Sequence, residues 1–167
     1  NVELFDSTFY SGWTNMEVDY NTENAQYRPT EYSKYVEYSE VEIEKDLQNK
    51  IDEIKPDIIF WSALSSHIHG EGEYVNIQYG YDLLNSINTD ALLVTGGLQP
   101  TALGKDMFDI FPNVNIFIRG ESEFVLLDIA ETIDSGKNIN SVKGIVYKDE
   151  SEKIIQSPRQ SIISNLD

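Results

Sequence analysis

The sequence predicts an α/β fold, an open parallel sheet with helices on both faces, followed by a C-terminal β-hairpin. Three observations carry this. From Val41 onward, short apolar runs rich in branched residues alternate with segments of helical period, the pattern of repeated βα units. Two of the runs stop at glycine, at Gly96-Gly97 and at Gly120, where backbone must come close to something. Two further short runs flank Asp149-Glu150-Ser151-Glu152 with no helix between them, which marks a hairpin.

Each element has its own justification. Val2 to Phe5 is a short apolar-rich run, expected as a buried strand. Residues 7–39 are rich in Tyr, Asn, Thr and Glu without a clean period, an irregular connection with one helical turn near Glu31–Tyr38. Ile43, Leu47, Ile51 and Ile54 recur at helical spacing and Pro56 ends that helix. Asp57 to Trp61 is a strand, and Tyr74 to Ile87 is a helix burying Leu83, Leu84 and Ile87. Ala91–Thr95 is a strand, Leu103–Phe111 a helix, and Val114–Ile118 a strand. Ser122–Ser135 is a helix capped by Gly136. Gly144–Lys148 and Lys153–Ser157 form the hairpin. Crossovers between parallel strands are right-handed.

Composition narrows the function. The chain has 167 residues, one domain by length, with 40% hydrophobic and 25% charged residues. Twelve basic against 29 acidic side chains give a net charge of −17. That argues against nucleic acid and against anionic membrane as partners. No run approaches the roughly 20 apolar residues of a membrane span. No basic-then-apolar signal opens the chain, so a cytoplasmic location is expected. Without cysteine, thiolate zinc sites and cysteine-ligated clusters are excluded.

Ligands of open parallel sheets sit at the carboxyl ends of the strands, so candidate site residues gather there. Ser62-Ala63-Leu64-Ser65 follow the first clear strand, although serines there also serve as helix caps. Gly96 and Gly97 let a flat ligand rest against main chain, with the Thr101 hydroxyl nearby. A tight turn without a ligand explains the glycines equally well. Arg119-Gly120-Glu121 close the next strand, and Glu121 and Glu123 also suit a helix N-terminus. His67 and His69 are the only two histidines. They are weak metal candidates, because a His-x-His hydrolase site needs further histidines.

In order and spacing, KPDIIFWSALSS, GG-x-x-PTAL, RGESE and VKGIVYKDESEKIIQSPRQSIISNLD resemble the cobalamin-binding domain of radical SAM enzymes. Those enzymes include methyltransferases and the oxidative cyclase of magnesium-protoporphyrin monomethyl ester. The second motif usually reads Arg-Gly-Glu-Gly-Glu; here Ser122 replaces the middle glycine. The resemblance implies a Rossmann-like domain over 1–139, then a hairpin and linker over 140–167 leading to a radical SAM barrel as partner. It implies cobalamin held by Ser62, Ala63, Leu64, Ser65, Gly96, Gly97, Thr101, Arg119, Gly120 and Glu121. The 4Fe-4S cluster and S-adenosylmethionine would belong to the parent's barrel, so this chain alone is not expected to be an enzyme.

The domain usually has five parallel strands, and Val2–Phe5 matches the second. The first strand and helix would then precede Asn1, as would the Asp-x-His-x-x-Gly loop that some cobalamin proteins use to ligate cobalt. The isolated chain is expected to bind cobalamin weakly and to self-associate through an uncovered strand. The alternative is a flavodoxin-like or receiver-like regulatory domain. Asp6 could serve as one acid of a receiver, but Arg119-Gly120 stands where its lysine environment is expected.

Overall fold

The computed structural model describes residues 1–7, 10, 35, 37–63 and 75–161, which fall into two compact units, Asn1–Lys55 and Pro56–Asp167. In the first unit, helix α1 (Ile43–Ile54) buries Leu47 and Ile51 and ends at Lys55 in the left-handed region. Tyr10 donates to Asp46 (3.0 Å), and Lys50 pairs with Glu3 (3.9 Å) and Glu53 (3.7 Å). Val2–Phe5 is not a strand. Residues 1–6 carry no regular structure, with Val2 94% and Leu4 86% exposed. Four residues offer too few ladder bonds to hold an extended segment without a paired neighbour. The expected turn near Glu31–Tyr38 lies largely outside the described residues.

The second unit is built on a five-stranded mixed sheet: β1 (Ile58–Ala63), β2 (Leu92–Gly97), β3 (Ile116–Ile118), β4 (Ile145–Lys148) and β5 (Ile154–Gln156). The first three strands run parallel, whereas β4 and β5 join antiparallel to β3 and to each other. The hairpin therefore continues the sheet. Helices α2 (Val75–Asn85), α3 (Leu98–Leu103), α4 (Met107–Ile110) and α5 (Ser122–Asp134) complete the unit.

Strand alternation sorts the core into two clusters, one on each face. Phe117 and Val146 share one face with Met107, Phe108 and Phe111 of the α3–α4 segment, and Trp61 and Tyr81 pack against them. Val94, Ile116, Ile118 and Ile145 lie on the other face with Val125 and Ile129 of α5. Thr95 is fully buried, and its hydroxyl is satisfied by donating to the Trp61 carbonyl (2.9 Å).

The expected helix Leu103–Phe111 starts earlier, at Leu98, and is interrupted by a 3-10 turn over Gly104–Asp106. Proline is tolerated in a first helical turn, where its missing N–H is not needed, so Pro100 does not delay the helix. Gly104, at φ 57°, breaks it. The strand expected from Val114 begins at Ile116, because Asn115 holds the preceding position with its side chain. Its Oδ1 accepts from Leu93 N (2.7 Å) and its own N–H donates to Leu93 O (2.9 Å). Helix α5 ends in a Schellman motif: Gly136 N–H donates to Ile133 O (3.0 Å) and Lys137 N–H to Thr132 O (2.9 Å).

Candidate cofactor-binding site

The carboxyl ends of the parallel strands meet at one edge of the sheet. Ser62 pairs with Gly96 and Ala63 with Gly97, so the two glycines are the last residues of β2. Leu64, Ser65, His67 and His69 lie outside the described residues. Among the described residues no group of three or more side chains is placed to hold a metal ion.

Thr101 ties two strand ends together. Its hydroxyl donates to Gly97 O (2.7 Å) and accepts from Gly120 N–H (2.8 Å). A hydroxyl has one proton, so that proton is committed and one lone pair remains. The two glycines it joins have φ of 129° at Gly97 and 91° at Gly120, a region that disfavours any side chain. A Cβ on Gly120 would meet nothing within 4 Å among the described residues. That loop is thus open above the main chain.

Gly96 behaves differently. A Cβ there would lie 2.6 Å from Ser122 Oγ, 3.4 Å from Ile118 Cβ and 3.6 Å from Phe60 Cε2. Its missing side chain is the space into which the first residue of α5 projects.

Arg119 is held from behind. Its N–H donates to Gly144 O (2.7 Å), and Gly144 N–H donates to Pro158 O (2.7 Å). The guanidinium turns toward the α3–α4 side, with Nε 3.8 Å from where a Gly104 Cβ would sit. That Nε and Gln99 Oε1 are buried without a hydrogen-bond partner among the described residues. Glu121 occupies the N-cap position of α5, but its side chain makes no capping hydrogen bond. Glu123 lies in the first turn, where its charge opposes the helix dipole favourably.

Sequence reasoning passed over Gln99, Gly104, Ser122 and Gly144 as site residues. Glycines inside or beside regular elements were the available signal for two of them, and the serine in the RGESE run was the signal for a third.

A cavity of about 430 Å³ lies instead at the amino ends of β2 and β3, lined by Leu92, Asn113, Asn115, Ile133, Lys137 and Tyr147. Its two asparagines are already engaged, Asn113 with Asn85 (2.7 Å) and Asn115 with Leu93. The unpaired buried groups and the open space at Gly120 make the carboxyl ends the candidate site.

No protein-family model matches the chain. It is 28% identical over 127 residues to an anaerobic magnesium-protoporphyrin IX monomethyl ester cyclase from Rubrivivax gelatinosus, covering 74% of this chain and 22% of the relative. An uncharacterised methyltransferase of Pyrococcus horikoshii is 24% identical over 122 residues, 73% of this chain and 25% of that protein. Among solved structures, the radical S-adenosylmethionine methyltransferase TsrM from Kitasatospora setae, with cobalamin and a [4Fe-4S] cluster bound, matches with a TM-score of 0.57. The match has 16% identity and covers 74% of this chain and 22% of that one. The same enzyme with tryptophan and a SAM analogue matches with a TM-score of 0.55 at 17% identity, covering 69% of this chain and 21% of that one.

The structural likeness speaks for the fold. The sequence relatives agree with the resemblance carried by the motifs. The chain spans about a fifth to a quarter of the length of the curated relatives it matches.

Proposed function

We propose that this chain is a cobalamin-binding module that works within a larger radical SAM enzyme, a methyltransferase or a cyclase. The observation that carries the reading is the glycine-lined edge at the strand ends. Gly97 and Gly120 are clamped together by Thr101, and among the described residues the space above Gly120 is open. A corrinoid is broad, flat and edged with amides, so it needs main chain free of side chains and polar groups at the margin. The residues present fit it: Gly97 and Gly120 offer backbone, and Arg119 Nε and Gln99 Oε1 are buried polar atoms without partners among the described residues.

When bound, cobalamin supplies a cobalt ion able to carry a methyl group. The chain's own residues do the holding. Thr101 fixes the separation of two strand ends, Arg119 supplies positive charge in a chain of net charge −17, and the Ser62-Ala63 main chain borders the glycine pair. With no cysteine in the chain, a cysteine-ligated cluster and the radical reaction fall to another part of the parent, in the cytoplasm. Residues 1–139 would form the cofactor-binding part and 140–167 the connection to that partner. Strand β1 has only β2 as hydrogen-bonded neighbour among the described residues, so its other edge is the proposed place of self-association.

Equilibrium dialysis against hydroxocobalamin, read by visible absorbance, tests the reading. Saturable binding that weakens on G120V is expected, since valine at φ 91° both strains the loop and fills the open space. Binding indistinguishable from that of an unrelated acidic protein would refute it.

A further inference from the structure

We propose that the cavity at the amino ends of β2 and β3 is a second binding site, one that takes a small carboxylate with an apolar body. It lies at the opposite end of the sheet from the glycine-lined edge. Its volume of about 430 Å³ falls within the ~300–1,000 Å³ of small-molecule pockets. Leu92, Ile116, Ile133 and Ile139 supply apolar walls. Three polar side chains of the lining are unclaimed. Tyr147 is only 7% exposed and Thr132 only 8%, yet neither hydroxyl has a hydrogen-bond partner among the described residues. The Lys137 ammonium has no ion pair there.

Hydroxyls this deep are nearly always paired, so whatever enters the cavity must pair these two. The remaining polar side chains of the lining each hold a partner already. Asn113 donates to Asn85 (2.7 Å), Asn115 accepts from Leu93 N (2.7 Å), and Lys148 pairs with Glu152 (3.5 Å). What is left is one cation and two hydroxyls, all able to donate to an anionic oxygen. A single unpaired charge matches a carboxylate. A phosphate dianion would bring a second negative charge with no counterpart, in a chain whose net charge is already −17. An amine would meet the like charge of Lys137. The four aliphatic walls reward a hydrocarbon body behind the carboxylate.

The test titrates octanoate into the full chain and follows backbone amides by NMR, with octan-1-ol and octylammonium as controls. Octanoate is expected to shift the Thr132, Lys137 and Tyr147 amides saturably, and to bind more tightly than either control. Y147F removes one hydroxyl and should weaken octanoate about three- to tenfold, the worth of one neutral hydrogen bond. K137Q removes the charge from an exposed side chain and should bring octanoate down to the affinity of octan-1-ol. Because that change leaves the core alone, K137Q decides the matter should Y147F fail to fold. Absence of saturable shifts would overturn the proposal, as would equal affinity of the unsubstituted chain for octanoate and octan-1-ol. Octanoate binding that K137Q leaves unchanged would overturn it too. None of these outcomes bears on the cobalamin reading, whose site is at the other end of the sheet.

Discussion

Gly96 and Ser122 form a steric pair, and the pair can be measured. Gly96 has extended backbone that alanine adopts freely, so G96A carries no φ penalty and gains about 0.4–1 kcal/mol from a less flexible unfolded chain. Against that gain stands the new Cβ, 2.6 Å from Ser122 Oγ, well inside van der Waals contact. Overpacking of this kind costs about 1–3 kcal/mol. Ser122 relieves part of it by turning about χ1, which places the net loss near ~1 kcal/mol. In an S122G background the hydroxyl is gone, and the remaining neighbours at 3.4 and 3.6 Å lie at or close to ordinary contact. There G96A should be neutral or mildly stabilising. The four proteins of the cycle, unfolded in urea and followed by circular dichroism, should show a coupling of about 1–2 kcal/mol favouring the double variant. Additivity within about 0.5 kcal/mol would refute the steric account.

Further tests follow from other contacts. T101V leaves the Gly120 N–H and the Gly97 carbonyl without their shared partner and should cost about 1–3 kcal/mol of stability; a loss under ~0.5 kcal/mol in urea unfolding would count against the clamp. G80A should destabilise by about 1–3 kcal/mol although alanine is the better helix former, because its Cβ would lie 2.6 Å from Trp61 Cδ1; a gain in the thermal midpoint would disprove this. The Asp149 carboxyl is held below its usual range, first by the Ser151 hydroxyl, then by the Ser151 N–H and, more weakly, the Lys153 N–H. A depressed folded value stabilises the hairpin above the unfolded value of about 3.9 and loses that contribution as pH falls through the folded one. S151A should therefore raise the Asp149 value observed by NMR titration, and no change would disprove the bond.

The parallel part of the sheet was legible because its strands are buried on both faces and read as unbroken apolar runs, such as IIFW and LLVT. The glycines at the end of β2 and just past β3 were legible for the same local reason, and they mark the edge of the candidate site. Val2–Phe5 misled, since a run of four apolar-rich residues says nothing about whether a neighbour is there to pair with it. Leu98 was missed as a helix start because Gly97 and Pro100 look like loop residues, and only the tolerance of proline in a first turn explains the outcome. The antiparallel docking of β4 on β3 was also hidden. Its register, Phe117 against Val146, joins segments whose local patterns carry no record of each other. The same holds for Ser122 over Gly96, a complementarity of volumes between distant positions.

The order of the five strands across the sheet is their order along the chain, β1-β2-β3-β4-β5. Each strand thus finds its hydrogen-bonding edge on the segment made just before it, and none has to be inserted between two that are already paired. Such a sheet can grow in one direction as the chain leaves the ribosome, adding one strand at a time to a single advancing edge. The Thr101 clamp and the Gly144 link to Arg119 would close only as the later strands arrive. In that sequence of assembly, the glycine-lined edge closes with β3 and is backed by Gly144 as β4 arrives, before β5 is added.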